Sequence, residues 1–127
     1  MIKAYLAAIP SLYEGEDIEV RYSIFKDEVL ARQESGFLEY VKPALVGQAS
    51  VLTLLPKLEK YKEEEIRIFI NDASLYEILR GTNPTKNGDV IKMSDKIKKQ
   101  LKKFKNLTFE NITKNQAVLS EWKEYTK

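Results

Sequence analysis

Asp72 and the lysines between positions 92 and 105 are the side chains whose type and spacing could do chemistry. Asp72 follows the apolar run Ile66, Ile68, Phe69 and Ile70 in the stretch 66–80, IRIFINDASLYEILR. That run is short, does not alternate cleanly and carries only Arg67 as a charge, which suits a strand covered on both faces. Leu75, Tyr76, Ile78 and Leu79 recur at helical spacing, and Gly81 stops the helix. An acid delivered to the carboxyl end of a buried strand, just before a helix, stands where open α/β sheets place their sites. It could ligate a metal there. The expected role is plainer: Asp is a favoured N-cap, and its carboxylate can accept the first orphan N–H groups of the helix. Ser74 has no His or Lys in the local sequence to activate it as a nucleophile.

The second feature is electrostatic. Lys92, Lys96, Lys98, Lys99, Lys102, Lys103 and Lys105 are opposed only by Asp95. Ile97, Leu101 and Phe104 form an inward stripe, which turns Lys98, Lys99, Lys102 and Lys103 outward. A basic helix face can track nucleic-acid phosphates. The alternative is a solvated surface helix whose lysines favour its C-terminal dipole. No aromatic interleaves that face, so base stacking on it is not expected.

Composition removes other chemistries. The chain has 127 residues, a formal net charge of +2, no cysteine and no histidine. Thiol chemistry and disulfides are excluded, and so are the commonest general base and zinc ligand. No glycine-rich phosphate loop occurs, and no cofactor is expected. The charge is too mild alone to imply nucleic acid. No apolar run approaches the ~18 residues of a membrane span, and residues 1–10 are too short for a signal peptide. A cytoplasmic protein is expected, without a membrane partner. The length suits a single domain over 1–127 that can bury a real core.

The elements that must position these residues follow from pattern. Ile2–Ile9 reads as a buried strand, ended by Pro10, with 10–17 as loop. Residues 18–25, IEVRYSIF, alternate; Ile18, Val20, Tyr22 and Ile24 take one side, as in an antiparallel strand with one wet face. A turn at Lys26 and Asp27 leads to a returning strand over 28–33, closed by Ser35 and Gly36. The longest helix is expected over 41–61, with Leu45, Gln48, Val51, Leu52, Leu55 and Leu58 in register. Pro43 suits its start, whereas Pro56 should kink it or begin a second helix. The charged run 57–65 is solvated. After the loop 81–90, Ser94 caps a helix over 95–105. A strand over 107–112 and a helix over 115–126 complete the chain, the latter burying Ala117 or Val118 with Leu119, Trp122 and Tyr125. Tyr5, Tyr13, Tyr22 and Tyr76 could line a groove but are expected to pack.

The order β-β-β-α-β-α-α-β-α, with three antiparallel strands ahead of alternating helices and strands, resembles the ribonuclease H-like fold. Ile68-Phe69-Ile70-Asn71-Asp72-Ala73-Ser74-Leu75-Tyr76 looks like that family's fourth strand, its acid and the following helix. Asn115, after a short connection, resembles the Asn that often opens the family's last helix. The resemblance implies a mixed α+β sheet of about five strands with helices on both faces. It implies phosphodiester hydrolysis by two divalent ions. Such ions lie about 3.5–4 Å apart, repel each other and need several carboxylates to hold them. Asp72 matches one carboxylate position. The first strand offers Tyr5-Leu6-Ala7-Ala8-Ile9, without an acid. The first helix offers Gln48 or Ser50, and the last helix Val118 and Leu119. The family's activity is therefore not carried over, and no catalytic or metal residue is assigned.

The resulting expectation is a non-catalytic ribonuclease H-like domain that binds nucleic acid weakly through phosphates at Lys98, Lys99, Lys102 and Lys103. The alternative is a protein-interaction or oligomerisation module on the same fold. An enzyme of another class built on Asp72 has no supporting residues in the sequence.

Overall fold

The computed structural model describes residues 1–127 apart from 11, 12, 14, 83 and 84. Parts of the loops expected over 10–17 and 81–90 fall on those positions and lie outside the described residues. The elements run β1 (Ile2–Ile9), β2 (Ile18–Lys26), β3 (Val29–Leu38), α1 (Val46–Leu58), β4 (Glu65–Ile70), α2 (Ala73–Arg80), α3 (Gly88–Leu101), β5 (Asn106–Asn111) and α4 (Gln116–Tyr125). Short 3₁₀ turns flank α1 at Pro43–Leu45 and Glu59–Tyr61. The element order expected from the sequence holds.

The strands form one 5-stranded sheet in the order β3-β2-β1-β4-β5. β1, β2 and β3 are antiparallel neighbours, whereas β4 runs parallel to β1 and β5 parallel to β4. β4 thus lies inside the sheet beside β1, with Ile2 opposite Ile66 and Leu6 opposite Ile70. Alternation sorts its side chains between two layers. Ile66, Ile68 and Ile70 join Ile2, Ala4, Leu6, Val20, Tyr22 and Ile24 against Val51, Leu54, Leu55 and Leu58 of α1 and Ile97 of α3. On the other face Tyr5, Phe69 and Ile112 pack with Phe25 of β2 and with Val118, Leu119, Trp122 and Tyr125 of α4. Tyr5 stacks on Phe69 with ring centroids 4.9 Å apart, and Trp122 Nε1 donates to the Leu6 carbonyl at 2.8 Å. The second face of β2 is therefore only partly wet. Ser23 is fully buried there and donates to the Tyr125 carbonyl.

Several boundaries differ from expectation, each for a local reason. The β2–β3 turn sits at Asp27 and Glu28, both with positive φ (48° and 69°), and not at Lys26. This is the backbone of a two-residue primed turn, whose hand matches strand twist. β3 does not close at Ser35 and Gly36; these pair with Arg21 and Val20, and the strand continues to Leu38. A glycine in an edge strand weakens the ladder without ending it. α1 runs through Pro56 to Leu58, and no second α-helix begins there. Pro56 lies exposed in the last turn, and the Glu59 N–H bonds its carbonyl as the helix tightens. The stripe of α1 includes Leu54, which periodicity had not assigned to the core, while Leu45 and Leu52 are only half-buried.

The largest correction concerns α3. Ser94 does not cap it; Asn87 does, its side chain accepting from Asp89 N and Val90 N, and the helix begins at Gly88. Asn followed by an acid in the first turn is itself a helix start, here embedded in a segment of loop-like composition. The helix ends at Leu101. Lys103 N and Phe104 N then bond the Gln100 and Leu101 carbonyls in a closing turn, which drops Phe104 into the core.

Candidate functional site

The tip of β4 places Asp72 as anticipated. Its backbone is extended, and its Oδ1 accepts from Leu75 N at 3.0 Å at the head of α2. Gly81 ends α2 with φ 74°, a conformation that favours glycine. Leu75 is buried against α1, where Gly47 leaves room for it: a Cβ at Gly47 would stand 3.0 Å from Leu75 Cδ2. The start of α1 and the start of α2 are thereby brought to the carboxyl ends of β1 and β4.

A cavity of about 60 Å³ opens between them, lined by Leu6, Ala8, Gly47, Ser50, Ile70, Asn71, Asp72 and Leu75. The wall from β1 is aliphatic. Ser50 is buried and donates to the Gly47 carbonyl at 2.6 Å. Gln48, the other position considered for an acid on α1, is buried toward α3. Its Nε2 donates to Ser94 Oγ at 2.8 Å and to the Val90 carbonyl at 3.4 Å, while its Oε1 has no partner among the described residues. Val118 and Leu119 of α4 pack into the second layer. Among the described residues no group of three or more Asp, Glu, His or Cys side chains is placed to hold a metal ion. A two-ion centre needs several carboxylates to offset its charge. One capping carboxylate facing Leu6, Ala8 and Ser50 does not fit it, and no hydrolytic step follows from this arrangement.

The lysines stand elsewhere. Lys98 and Lys99 occupy the last turn of α3, Lys102 is its C-cap, and Lys103 lies in the closing turn. Lys102 and Lys103 are thus not helical, contrary to the helix expected to 105, but all of the four are exposed. Lys103 Nζ is paired with Glu59 Oε1 at 2.8 Å. Lys98, Lys99 and Lys102 have no ion-pair partner among the described residues. Lys60 and Lys62, from the turn after α1, join Lys103 and Glu59 around one shallow depression. The Lys105 N–H bonds the Lys62 carbonyl at 2.9 Å and holds the two turns together. Sequence reasoning missed Lys60 and Lys62. They sit in a charged run read as merely solvated, and no local signal joins positions some forty residues apart.

Asp72 and the lysines are not brought together. Lys62 and Lys105 precede Glu65 and Asn106, the paired starts of β4 and β5, whereas Asp72 lies past the end of β4. Six residues at about 3.3 Å each separate the two ends by roughly 20 Å. Tyr5 and Tyr22 do not share a groove either. Tyr5 faces α4 and Tyr22 faces α1, while Tyr76 stacks under Arg80 with 5.2 Å from Cζ to the ring centroid.

No family model matches the chain, and no curated protein sequence does. Solved structures do. Ribonuclease H1 from the halophilic archaeon Halobacterium salinarum superposes with a TM-score of 0.79 at 11% identity, covering 91% of this chain and 87% of that one. A ribonuclease H1 isolated from compost by a metagenomic approach, in complex with RNA/DNA hybrid, gives 0.78 at 13% identity over 99% and 96%. The N-terminal ribonuclease H domain of a Mycobacterium tuberculosis protein gives 0.75 at 8% identity over 99% and 98%. With its sheet order, its parallel β1–β4–β5 core and its helices on both faces, this chain has the ribonuclease H-like fold.

Proposed function

We propose that this chain is a non-catalytic domain of the ribonuclease H-like fold that holds nucleic acid weakly, through backbone phosphates, at Lys98, Lys99, Lys102 and Lys103. The observation that carries the reading is the exposed lysine array at the end of α3, most of it without ion-pair partners among the described residues. Lysine ammonium groups are flexible point charges that suit phosphates better than base edges. Similarity to a structure holding RNA/DNA hybrid supports nucleic acid as the partner class. The uncharged wall opposite Asp72 supports the absence of hydrolysis. No helix among the described residues is long and apolar enough to cross a membrane, and a cysteine-free chain suits the cytoplasm.

The test is a salt titration of fluorescence anisotropy with duplex DNA, RNA and an RNA–DNA hybrid. Each phosphate contact contributes a slope of about −0.9 in log K against log salt, so four lysines should give about −3 to −4. Affinity should be on the order of 10⁻⁴–10⁻⁶ M near physiological salt, with little dependence on sequence. The double change K98E/K102E should weaken binding to every ligand alike. Absence of binding by the unaltered chain at low salt, or superimposable curves for both proteins, would remove the proposal.

A further inference from the structure

We infer that β3 pairs with β3 of a second copy of this chain, antiparallel about a two-fold axis at Gln33, so that one sheet runs through a homodimer. This surface is separate from the lysine array and does not depend on the phosphate reading.

β3 is ten residues long, ends the sheet and, among the described residues, pairs only with β2. All of it is exposed except the half-buried Arg32 and Leu38. A long open edge offers a row of unpaired N–H and C=O groups, and proteins usually blunt such edges with proline, charged side chains (lysine above all), β-bulges, short length or cover. β3 contains neither proline nor lysine. It does carry a bulge at Ala31, where the register with β2 shifts, and two charges, Arg32 and Glu34.

Those charges select the occupant. Arg32-Gln33-Glu34 is self-complementary when reversed. With Gln33 opposite Gln33 of the second copy, each Arg32 faces the other copy's Glu34, and opposite charges directly across a ladder attract. Slipping the pairing by two residues in one direction sets Glu34 against Glu34; in the other direction it sets Arg32 against Arg32. Both slips are repulsive, so the register is specified by charge. Arg32 and Glu34 are already held together within one chain at 2.6 Å, which presents the acceptor and donor ready for exchange.

Apolar surface agrees. Leu30 pairs with Phe25 and Phe37 with Glu19, which places both on the α4 side of the sheet. They are 48% and 71% exposed, large values for side chains of this kind. In the two-fold arrangement Leu30 of one copy comes alongside Phe37 of the other, at both ends of the seam.

Sedimentation velocity on the full chain, up to millimolar concentration, should show a monomer–dimer equilibrium. R32E alone puts a glutamate opposite Glu34, and E34R alone puts an arginine opposite Arg32; each should abolish the dimer. The double variant R32E/E34R restores opposite charges and should restore association. A second measurement does not rely on altering the charge pair. The chain has no cysteine of its own, so Gln33→Cys supplies a single thiol on the axis. Opposed residues of an antiparallel pair have Cα atoms about 4.5–5.5 Å apart, within disulfide reach. Ser35→Cys would stand about 14 Å from its counterpart, out of reach. Copper-catalysed oxidation should therefore give covalent dimer with Gln33→Cys and little with Ser35→Cys. A chain that stays monomeric throughout, a dimer that survives R32E, or equal cross-linking at the two positions would overturn the inference.

Discussion

Tyr22 and Glu34 join the buried face of the sheet to its open edge. The Tyr22 hydroxyl donates to Glu34, which also accepts from Arg32. Burial, and then the bond to Glu34, push the Tyr22 phenol up to about 12. The bonds from Tyr22 and then Arg32 hold the Glu34 carboxyl below its ordinary range. A carboxylate lowered in the folded state contributes stability that is present above its unfolded value and is lost as pH falls through the folded one. The raised phenol contributes below about 10, and that contribution is lost as pH rises towards about 12. An NMR carboxyl titration should place the Glu34 midpoint below the usual ~4.3, and Tyr22→Phe should move it upward. A midpoint unmoved by Tyr22→Phe would show that Arg32 alone sets it. Asp72 makes a comparable argument in its role as cap. Asp72→Ala should cost about 1 kcal/mol in urea unfolding, whereas Asp72→Asn, an equally good N-cap, should be close to neutral. Equal loss in both would point to a charge role instead.

At the level of elements, the β2–β3 hairpin carries a cost that its sequence does not advertise. Glu28 has φ 69°, where a side chain is disfavoured by roughly 1–2 kcal/mol. Its ion pair with Lys3 at 2.8 Å is exposed and returns little. Glu28→Gly is therefore expected to raise stability by about 0.5–1 kcal/mol, seen as a higher urea midpoint at unchanged slope. The same hairpin shows why boundaries were harder to read than identities. Asp27-Glu28 lacks the Asn-Gly or Asp-Gly signature of a primed turn, and the turn lies one residue beyond the expected Lys26. Ser35 and Gly36 have turn chemistry yet are held in β3 by a ladder with β2. The start of α3 was hidden for the opposite reason, because Asn87, Gly88 and Asp89 look like loop until Val90 is seen to be buried. By contrast β1, β4 and α2 were legible to within a residue or so. Each strand's apolar run is broken by a single charge, Lys3 in β1 and Arg67 in β4, and Asp72 and Gly81 cap α2 at its two ends unambiguously.

For the whole molecule, order along the chain was enough to find the fold, but not to say which candidate residues meet. Asp72, Gln48 and Ser50 could each be placed near the strand tips from sequence, yet the division of labour between the last two is three-dimensional. Ser50 and Gln48 each line a depression shared with Asp72, but the Gln48 amide nitrogen is bonded to Ser94 and Val90 of α3. Nor did sequence reveal that the parallel β4–β5 pair sets Asp72 and the lysines at opposite ends of the sheet. That separation makes the two halves of the proposed function independent, and they can be tested in one set of proteins. Magnesium or manganese should not support hydrolysis of an RNA–DNA hybrid, because a single capping carboxylate cannot hold two divalent ions. Asp72→Asn should leave hybrid affinity and the salt slope unchanged, since the turn that carries Lys103 and Lys105 lies at the other end of β4, roughly 20 Å away. K98E/K102E should lower affinity and reduce the slope by about 2, one unit for each lost phosphate contact. Should Asp72→Asn weaken binding as much as the lysine changes, the hybrid would have to reach the strand tips as well as the lysines, and the two ends of the sheet would not act independently. Metal-dependent cleavage that vanishes in Asp72→Asn would mean that further ligands join Asp72 when substrate is bound.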